Sequence, residues 1–288
     1  MKCNAFSFSR AFTYSLVRSR PFVFLSYRIY RIENPEQYDD AAVQAIREVL
    51  EVEPGEGIPT ECVECVKMGT TVATNALLER KGEPTLLVVT KGFRDVLRLA
   101  YQNRPRIFDR HIQLHEELYE QVVEVDARVD VKGNVIQPLD EEQVRLDLEA
   151  AAKAHGLTSV AIALVHGYKY PFHEEKIAQI ARLSGFSQVS TSHETVPLVK
   201  IVGRGDTTVV DAYLSPILGR YVKQVSSHLK GLEGLDQLQF MQSNGGLSAA
   251  EFFKGKDAIL SGPAGGIVAA VKTAREAGHG KIVTFDMG

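Results

Sequence analysis

The chain has 288 residues, of which 44% are hydrophobic and 24% are charged, a composition that fits a globular protein and excludes a disordered one. Residues 1–32 hold six of the 33 basic residues and no acidic ones, so the net charge of −3 leaves 27 basic against 36 acidic residues in the remainder. Nucleic-acid binding is excluded because it needs a basic stripe in the folded body, and no apolar run is long enough to predict a membrane span.

The leader and the three cysteines bear on processing and redox state. Residues 1–32 interleave phenylalanine with arginine and serine without a helix or strand period. This pattern is typical of a mitochondrial transit peptide, but an atypical beginning of the chain is the interpretation we favour. Three cysteines are too few for a disulfide framework and fit a reducing compartment. Cys62 and Cys65 have C-x-x-C spacing, but on a strand they would point to opposite faces, so we interpret them as strand residues.

A strand, a tight turn and a helix start are predicted in direct succession in one stretch of the chain. The run 62–68 is apolar, and Gly69 lets the backbone approach a ligand closely. Thr70 or Thr71 is suited to cap the following helix, and Gly82 lies where a left-handed residue would end it. Free N–H groups at such a helix start attract anions, above all phosphate. A capped helix without a ligand is the alternative interpretation.

Apolar runs of buried-strand type alternate with helical patterns along the chain. Strands are predicted at 85–90, 121–131, 135–136, 159–165, from 189, at 238–241 and at 281–285. Helices are predicted from Asn34-Pro35 to Leu50, at 93–100, from Asp140 to His155, from Pro171 to Gly185, at 207–229 and from Ser261. This alternation predicts an α/β architecture with a mainly parallel, buried sheet.

Three glycine-containing segments follow apolar runs and offer backbone amides to a phosphate or nucleotide. They are the turn at Gly69, the segment 242–246 and the segment 261–266, and in each case a helix is expected after the glycines. Asp286 ends the last predicted strand and precedes Gly288, where an enzyme that binds nucleotides places a carboxylate that organises Mg²⁺. A turn aspartate is the alternative.

Other polar residues give weaker signals. The segment 101–111 is irregular, and its arginines could hold a carboxylate or phosphate because a guanidinium forks onto two oxygens. A solvated loop is the alternative. His166, His173 and His193 are not spaced as a metal pair on one helix face, so we interpret them as surface or capping residues.

The segment 69–82 resembles the hallmark of the hydantoinase A/5-oxoprolinase family, ATP-dependent enzymes that open cyclic amides. It reads Gly-Thr-Thr-Val-Ala-Thr-Asn-Ala-Leu-Leu-Glu-Arg-Lys-Gly. Further landmarks in the family's order are 102–105, 118–119, 123–126, 204–206, 211–216, 241–247 and 261–266. The resemblance implies an actin-like ATPase fold, with a ribonuclease-H-like first lobe and the beginning of a second. It also implies a family N-terminal domain at 33–190 and the start of the ATPase domain at 191–288.

The resemblance implies that ATP phosphorylates a cyclic amide oxygen before water opens the ring. For 5-oxoproline the product is glutamate, a step of glutathione turnover, and Mg²⁺ and K⁺ are the implied ions. The implied catalytic residues are Asp286, which would also hold Mg²⁺ through water, Thr70, Thr71 and Asn75. The implied nucleotide contacts are Gly288, Gly245, Gly246, Ser261, Gly262, Gly265 and Gly266, and the implied substrate contacts are Gln102, Asn103, Arg104 and Arg204.

Two departures from the family pattern stand at the ends of the chain. Family members begin with an Asp-x-Gly-Gly-Thr-x-Thr-Asp phosphate hairpin, which this sequence does not contain. Of the second such hairpin only Asp286-Met-Gly288 is present. We therefore expect a form truncated at both ends that is inactive alone, because phosphoryl transfer depends on positioned charges and amides.

Several interpretations of the whole remain open. The likeness of residues 101–126 favours 5-oxoprolinase over the alternative within the same class, an N-methylhydantoinase-type hydrolase. A non-catalytic binding module that lacks the ATP site is the alternative from another class. The expected partners are a small cyclic amide, a hydantoinase B-type domain or subunit, and further copies of the full-length chain. The expected location is the cytosol, with mitochondrial targeting by residues 1–32 as the alternative.

Overall fold

The computed structural model describes most of the chain beyond its first 40 residues. The described ranges are 41–53, 56–59, 63, 65–104, 106–112, 114–229 and 237–285. The predicted leader, the helix start at Asn34-Pro35, Cys62, Asp286 and Gly288 lie outside them. The chain divides into two compact units, of which unit 2 is Arg80–Pro216 and unit 1 comprises the residues before and after it. The family-domain boundary predicted at residue 190 is a different division and stays a prediction.

Helices and strands alternate through both units. The helices are α1 (Ala41–Val49), α2 (Val72–Leu78), α3 (Val96–Leu99), α4 (Glu141–His155), α5 (Phe172–Leu183), α6 (Ser192–Thr195), α7 (Ile201–His228) and α8 (Ser261–Glu276). The strands are β1 (Val66–Met68), β2 (Thr85–Thr90), β3 (Tyr119–Val125), β4 (Arg128–Val129), β5 (Val135–Gln137), β6 (Ser159–Ala163), β7 (Gln188–Thr191), β8 (Leu238–Met241) and β9 (Leu247–Ala249). In this part of the chain no helix combines the length and the hydropathy that crossing a membrane requires.

Unit 2 is built on a parallel sheet of four strands in the order β3-β2-β6-β7. The two central strands, β2 and β6, are buried along their whole length. Leu148 of α4 and Ile177 of α5 pack on one face of the sheet, and Leu97 of α3 and Val209 of α7 pack on the other. The predicted α/β architecture with a parallel, buried sheet is confirmed, because strands covered on both faces require continuous apolar sequences.

Helix and hairpin ends in unit 2 follow local turn chemistry. Asp140 accepts a hydrogen bond from the N–H of Gln143 at 3.0 Å where α4 begins, and Gly156 ends that helix with φ of 63°. β4 and β5 form an antiparallel hairpin whose turn holds Gly133 at φ of 96°. One or two residues determine each of these features, which is why the local sequence predicts them.

Unit 1 contains a three-stranded sheet in the order β1-β8-β9. β1 and β8 are parallel, whereas β8 and β9 are antiparallel, so 242–246 is the turn of a hairpin. The prediction that a helix follows the glycines of this segment is wrong. Gly245 takes φ of 81°, and the N–H of Gln242 donates to the carbonyl of Gly246 at 2.8 Å. Both features return the chain into β9.

Gly82 does not end the helix that the sequence predicts it to end. α2 stops at Leu78, and Arg80 takes the left-handed conformation, with φ of 54°. Gly82 is required for a different reason, since a Cβ at this position would lie 2.0 Å from Cε1 of buried Tyr213. The N–H of Glu83 also donates to the carbonyl of Tyr213, at 2.9 Å. The glycine therefore serves close packing rather than helix termination.

The strand predicted at 281–285 does not form in the described part of the chain. Val283 is 82% exposed and Phe285 is 96% exposed. A strand requires a hydrogen-bonded neighbour, and no described residue pairs with this run. Its apolar composition alone was not sufficient to form a strand.

Gly82→Ala is expected to lower the free energy of unfolding by about 2 kcal/mol, because the added methyl group would overlap the ring of Tyr213. Urea denaturation measures the change. Gly219→Ala is the matched control, since no atom lies within 4 Å of its Cβ position and α7 should gain about 1 kcal/mol from the better helix former. Equal effects of the two substitutions would contradict the packing role of Gly82.

Candidate functional site

Two hydroxyl groups hold the turn between β1 and α2 in unit 1. Gly69 and Thr70 are buried, and Oγ1 of Thr70 accepts a hydrogen bond from the N–H of Val72 at 3.2 Å. Thr71 is half-buried, and its Oγ1 accepts a hydrogen bond from Nδ2 of the exposed Asn75 at 3.4 Å. A ligand can therefore reach Thr71 and Asn75, whereas Thr70 shapes the turn beneath them.

The start of α8 is bonded directly to this turn. The buried Ser261 donates a hydrogen bond from Oγ to the carbonyl of Thr70 at 3.1 Å. The N–H of Leu260 donates to Oγ1 of Thr74 at 3.0 Å. Leu260 itself has φ of 56°, a conformation that residues with a Cβ adopt only where other contacts impose it. The first turns of α2 and α8 are therefore held side by side.

The glycines of the two later segments have different roles. A Cβ on Gly265 would lie 3.4 Å from Cγ of Met241, and one on Gly245 would lie 3.0 Å from a valine methyl group of α8. These two glycines let the β8–β9 hairpin pack on α8. At Gly262, by contrast, the described chain places only Cγ2 of Thr71 within 4 Å of the Cβ position, at 3.9 Å. A ligand can therefore approach the backbone of Gly262.

The β8–β9 hairpin turn is also fastened to the segment before α8. Ser243 donates from its N–H to the carbonyl of Asp257 at 2.7 Å, and its Oγ lies 2.8 Å from that carbonyl and 2.5 Å from the carbonyl of Ile259. The N–H of Gly246 donates to Oδ1 of Asn244 at 2.7 Å. Unit 1 thus gathers most of the predicted site residues into one connected group, namely Thr70, Thr71, Asn75, Gly245, Gly246, Ser261, Gly262, Gly265 and Gly266.

This group of residues is suited to an anion. The N–H of Gly262 has no acceptor among the described residues, and it lies in the first turn of the 16-residue helix α8. Unpaired N–H groups and the helix dipole at such an end favour negative charge. Within the described ranges, no three His, Cys, Asp or Glu side chains are grouped to hold a metal ion. Asp286, the predicted Mg²⁺ residue, is outside those ranges.

The predicted substrate residues of unit 2 fall into two groups, of which the first is exposed. Gln102, Asn103 and Arg104 follow α3, and their side chains have no hydrogen-bond or ion-pair partner among the described residues. The backbone that carries them is unusual, because Ala100 has φ of 45° and Gln102 has φ of 56°. The polar groups of this segment are therefore available to a ligand.

Arg204, the second group, is fully buried. Its guanidinium donates to Oγ of Ser192 at 2.9 Å and to the carbonyls of Leu198 at 2.6 Å, Val199 at 3.2 Å and Leu164. Burial lowers the pKa of this guanidinium. These bonds give Arg204 a structural role in unit 2, and its assignment to substrate stays a prediction.

The sequence does not single out Glu174, a buried carboxylate at the centre of the same cluster. Its Oε1 accepts hydrogen bonds from the N–H of Leu164 at 2.8 Å and from Oγ of Ser192 at 2.6 Å. Its Oε2 accepts them from the N–H of His193 at 3.1 Å and from Nδ1 of the same residue at 2.7 Å. His193, which the sequence suggests is a surface or capping residue, is therefore a partner of this carboxylate. In the sequence Glu174 is an ordinary first-turn acid, so only the fold reveals its role.

Comparisons with known proteins follow the same motifs. Residues 25–185 match the family model described as the hydantoinase/oxoprolinase N-terminal region, and residues 204–288 match the hydantoinase/oxoprolinase model. Over 88% of its length, the chain is 41% identical to 5-oxoprolinase 1 of Arabidopsis thaliana and 38% identical to the 5-oxoprolinase of Saccharomyces cerevisiae. It spans 22% of the length of each of these two relatives.

Solved structures resemble nearly the whole chain as well. The crystal structure of the ATP-dependent caprolactamase from Pseudomonas jessenii matches 99% of this chain with a TM-score of 0.75 and 26% sequence identity. The match covers 42% of the caprolactamase chain.

The hydrogen bond between His193 and Glu174 predicts that folding stability falls as the pH rises. This bond raises the pKa of His193 above its usual 6.5, and partial burial opposes the effect. The stabilisation is fully present below pH 6.5 and is lost as the pH rises through the folded-state pKa. We expect His193→Gln to abolish this decline in urea denaturation measured from about pH 5 to 9. His155→Gln, at the exposed end of α4, should retain it, and a decline that survives in His193→Gln would refute the assignment.

Proposed function

The chain belongs to the hydantoinase/oxoprolinase family, which confirms the resemblance of residues 69–82, and on this premise we propose that it takes part in the ATP-dependent opening of a cyclic amide, with 5-oxoproline as the first candidate. The observation that carries the proposal is the junction in unit 1. There, Ser261 bonds to Thr70 and places the first turns of two helices side by side. Because this chain spans only part of its relatives' length, the activity of a whole protein is inferred from them.

The residues of unit 1 fit the phosphate end of a nucleotide. Gly262 offers an unpaired N–H in the described chain and a backbone that a ligand can approach. Bound ATP would supply a phosphoryl group to the amide oxygen, which makes the ring carbon easier for water to attack. We assign Thr71 and Asn75 to contacts with the transferred phosphoryl group. Thr70 and Ser261 hold those two side chains in place.

The residues of unit 2 fit a small molecule that carries both an amide and a carboxylate. The exposed guanidinium of Arg104 can donate two parallel hydrogen bonds to a carboxylate. The side-chain amides of Gln102 and Asn103 each offer a donor and an acceptor, which complement the N–H and the carbonyl of a lactam. 5-Oxoproline has both groups, whereas hydantoin and caprolactam have no carboxylate. Arg104 is therefore proposed as the residue that selects 5-oxoproline.

Three further assignments belong to the proposal. Mg²⁺, which Asp286 would hold through water, and K⁺ are the proposed cofactors, and Gly288 is a proposed nucleotide contact. A hydantoinase B-type domain or subunit and further copies of the full-length chain are its protein partners. The cytosol is its location, which the small number of cysteines supports.

A second candidate substrate is a lactam without a carboxylate. The likeness to the caprolactamase structure over nearly the whole chain favours it. The preference among 5-oxoproline, N-methylhydantoin and caprolactam in calorimetric titration of the purified chain separates the two candidates. Saturable binding of 5-oxoproline without turnover is the expected result for a chain that is inactive alone, whereas ATP-dependent release of glutamate would establish hydrolysis directly. Failure of all three compounds to bind would contradict the proposal.

Arg104→Ala is expected to weaken the binding of 5-oxoproline about tenfold, since a hydrogen bond to a charged group contributes about 1.5–3 kcal/mol. Binding of 2-pyrrolidinone, the same ring without the carboxylate, should not change. Titration calorimetry of the chain measures both affinities. Arg110→Ala, on the same exposed loop, is the matched control and should bind both compounds like the unaltered chain. Equal weakening for the two rings would show that Arg104 does not recognise the carboxylate.

A further inference from the structure

The segment that follows α3 is held in a conformation it would not adopt alone. Ala100 has φ of 45° and ψ of −131°, and Gln102 has φ of 56°. Side chains with a Cβ rarely occupy these regions, and they persist only where surrounding contacts impose them. Two such residues within three positions therefore require an external support, because the local sequence contains no glycine that would make the turn easy.

The support comes from two glycines in the first turns of α7. A Cβ on Gly205 would lie 2.7 Å from Cδ2 of Leu97, 3.3 Å from its Cδ1 and 3.4 Å from its Cγ. Leu97 is 8% exposed, so its side chain has little space to move away. Closer to the strained residues, Oη of Tyr101 lies 3.4 Å from the Cβ position of Gly203. The last turn of α3 and the residue between the two strained positions therefore both rest on α7.

The residue between these glycines fixes the helix that carries them. Arg204 is fully buried and donates hydrogen bonds to Ser192 and to three carbonyl groups. Rotation or translation of the first turn of α7 would break these bonds. The surface that Gly203 and Gly205 present to α3 is consequently rigid, and Leu97 docks on a fixed support.

We infer that Gly205 and Leu97 are positioning residues, whose contact sets the backbone at 100–104 and thereby places the side chains of Gln102, Asn103 and Arg104. The inference rests on the proposed function in one respect only, namely that the three placed side chains recognise a cyclic amide. The docking itself is independent of any ligand. Gly205 thus acts on the exposed segment through a buried leucine, without itself contacting the substrate.

Simple core filling is the competing explanation, and it has a different signature. If the close packing at Gly205 only stabilised the core, a larger residue there would lower the overall free energy of unfolding and leave the local opening of 100–104 unchanged. If it positions the segment, the damage appears first in the exchange of the Gln102 N–H. That group donates to the carbonyl of Leu99 at 3.1 Å and reports directly on the strained turn.

The test is hydrogen exchange of the segment 97–104 in Gly205→Ala. The added methyl group would displace Leu97, and we expect exchange at Gln102 to become about tenfold faster, the usual consequence of local overpacking. Gly219→Ala is the matched control on the same helix, because no atom lies within 4 Å of its Cβ position, and it should leave exchange at Gln102 unchanged. Leu97→Val combined with Gly205→Ala removes one side-chain carbon where the alanine adds one and keeps an apolar contact, so it should return the exchange rate towards that of the unaltered chain.

Two measurements on the same variants, hydrogen exchange at Gln102 and titration with 5-oxoproline, separate this inference from the proposed function. Unchanged exchange at Gln102 in Gly205→Ala, or no rescue by Leu97→Val, would overturn the inference. Faster exchange with rescue supports it. Titration with 5-oxoproline then tests whether the placement of residues 102–104 serves substrate binding. If 5-oxoproline binds more weakly to Gly205→Ala and binds normally to the double variant, the result supports both the inference and the proposed function. Faster exchange with unaltered 5-oxoproline binding would leave the docking intact and remove Gln102, Asn103 and Arg104 from the proposed site.

Discussion

Unit 2 depends on the need to satisfy one buried charge. Glu174 is fully buried, and a carboxylate in such a place is tolerated only when hydrogen-bond donors surround it. The donors come from the end of β6 and from α6, and Ser192 links them to Arg204 on α7. Satisfying this charge therefore fixes where β6 ends and where α7 begins. The glycines of α7 then support the exposed segment 100–104, so a buried ionic cluster determines the position of residues at the surface.

Unit 1 reaches a similar result without buried charge. Its site is held by backbone carbonyls and hydroxyl groups, among them the bonds from Ser261 to Thr70 and from Leu260 to Thr74. Neutral hydrogen bonds of this kind position the backbone so that N–H groups can face a ligand. Because they add no net charge, the electrostatic potential at the site comes mainly from the helix ends. An anion that enters such a site meets no competing carboxylate from the bonds that build it.

Features determined by neighbouring residues could be predicted from the sequence, and features determined by distant contacts could not. The apolar runs of β2 and β6, and the helix ends at Asp140 and Gly156, each follow from local chemistry. A glycine, in contrast, signals only that a Cβ is absent. It does not reveal whether a turn, a packed tyrosine ring or a ligand requires that absence, and Gly82 belongs to the second case.

The candidate site divides in the same way. The order of motifs identified the family and the residues that unit 1 gathers around Thr71, because these lie in continuous segments. Glu174 could not be found, since its partners Ser192 and His193 are distant from it in sequence and no spacing connects them.

The insertion of unit 2 into unit 1 has a consequence for synthesis on the ribosome. β1 pairs with β8, from Val66 with Leu238 onwards, so β1 cannot complete this pairing until the whole of unit 2 has been made. Unit 2 is continuous in sequence and can fold as soon as it has emerged. During that interval β1 lacks β8, and the two apolar side chains that it buries in the folded unit, Val66 and Met68, are not yet covered by that strand, so a chaperone would act at this stage rather than after release of the finished chain.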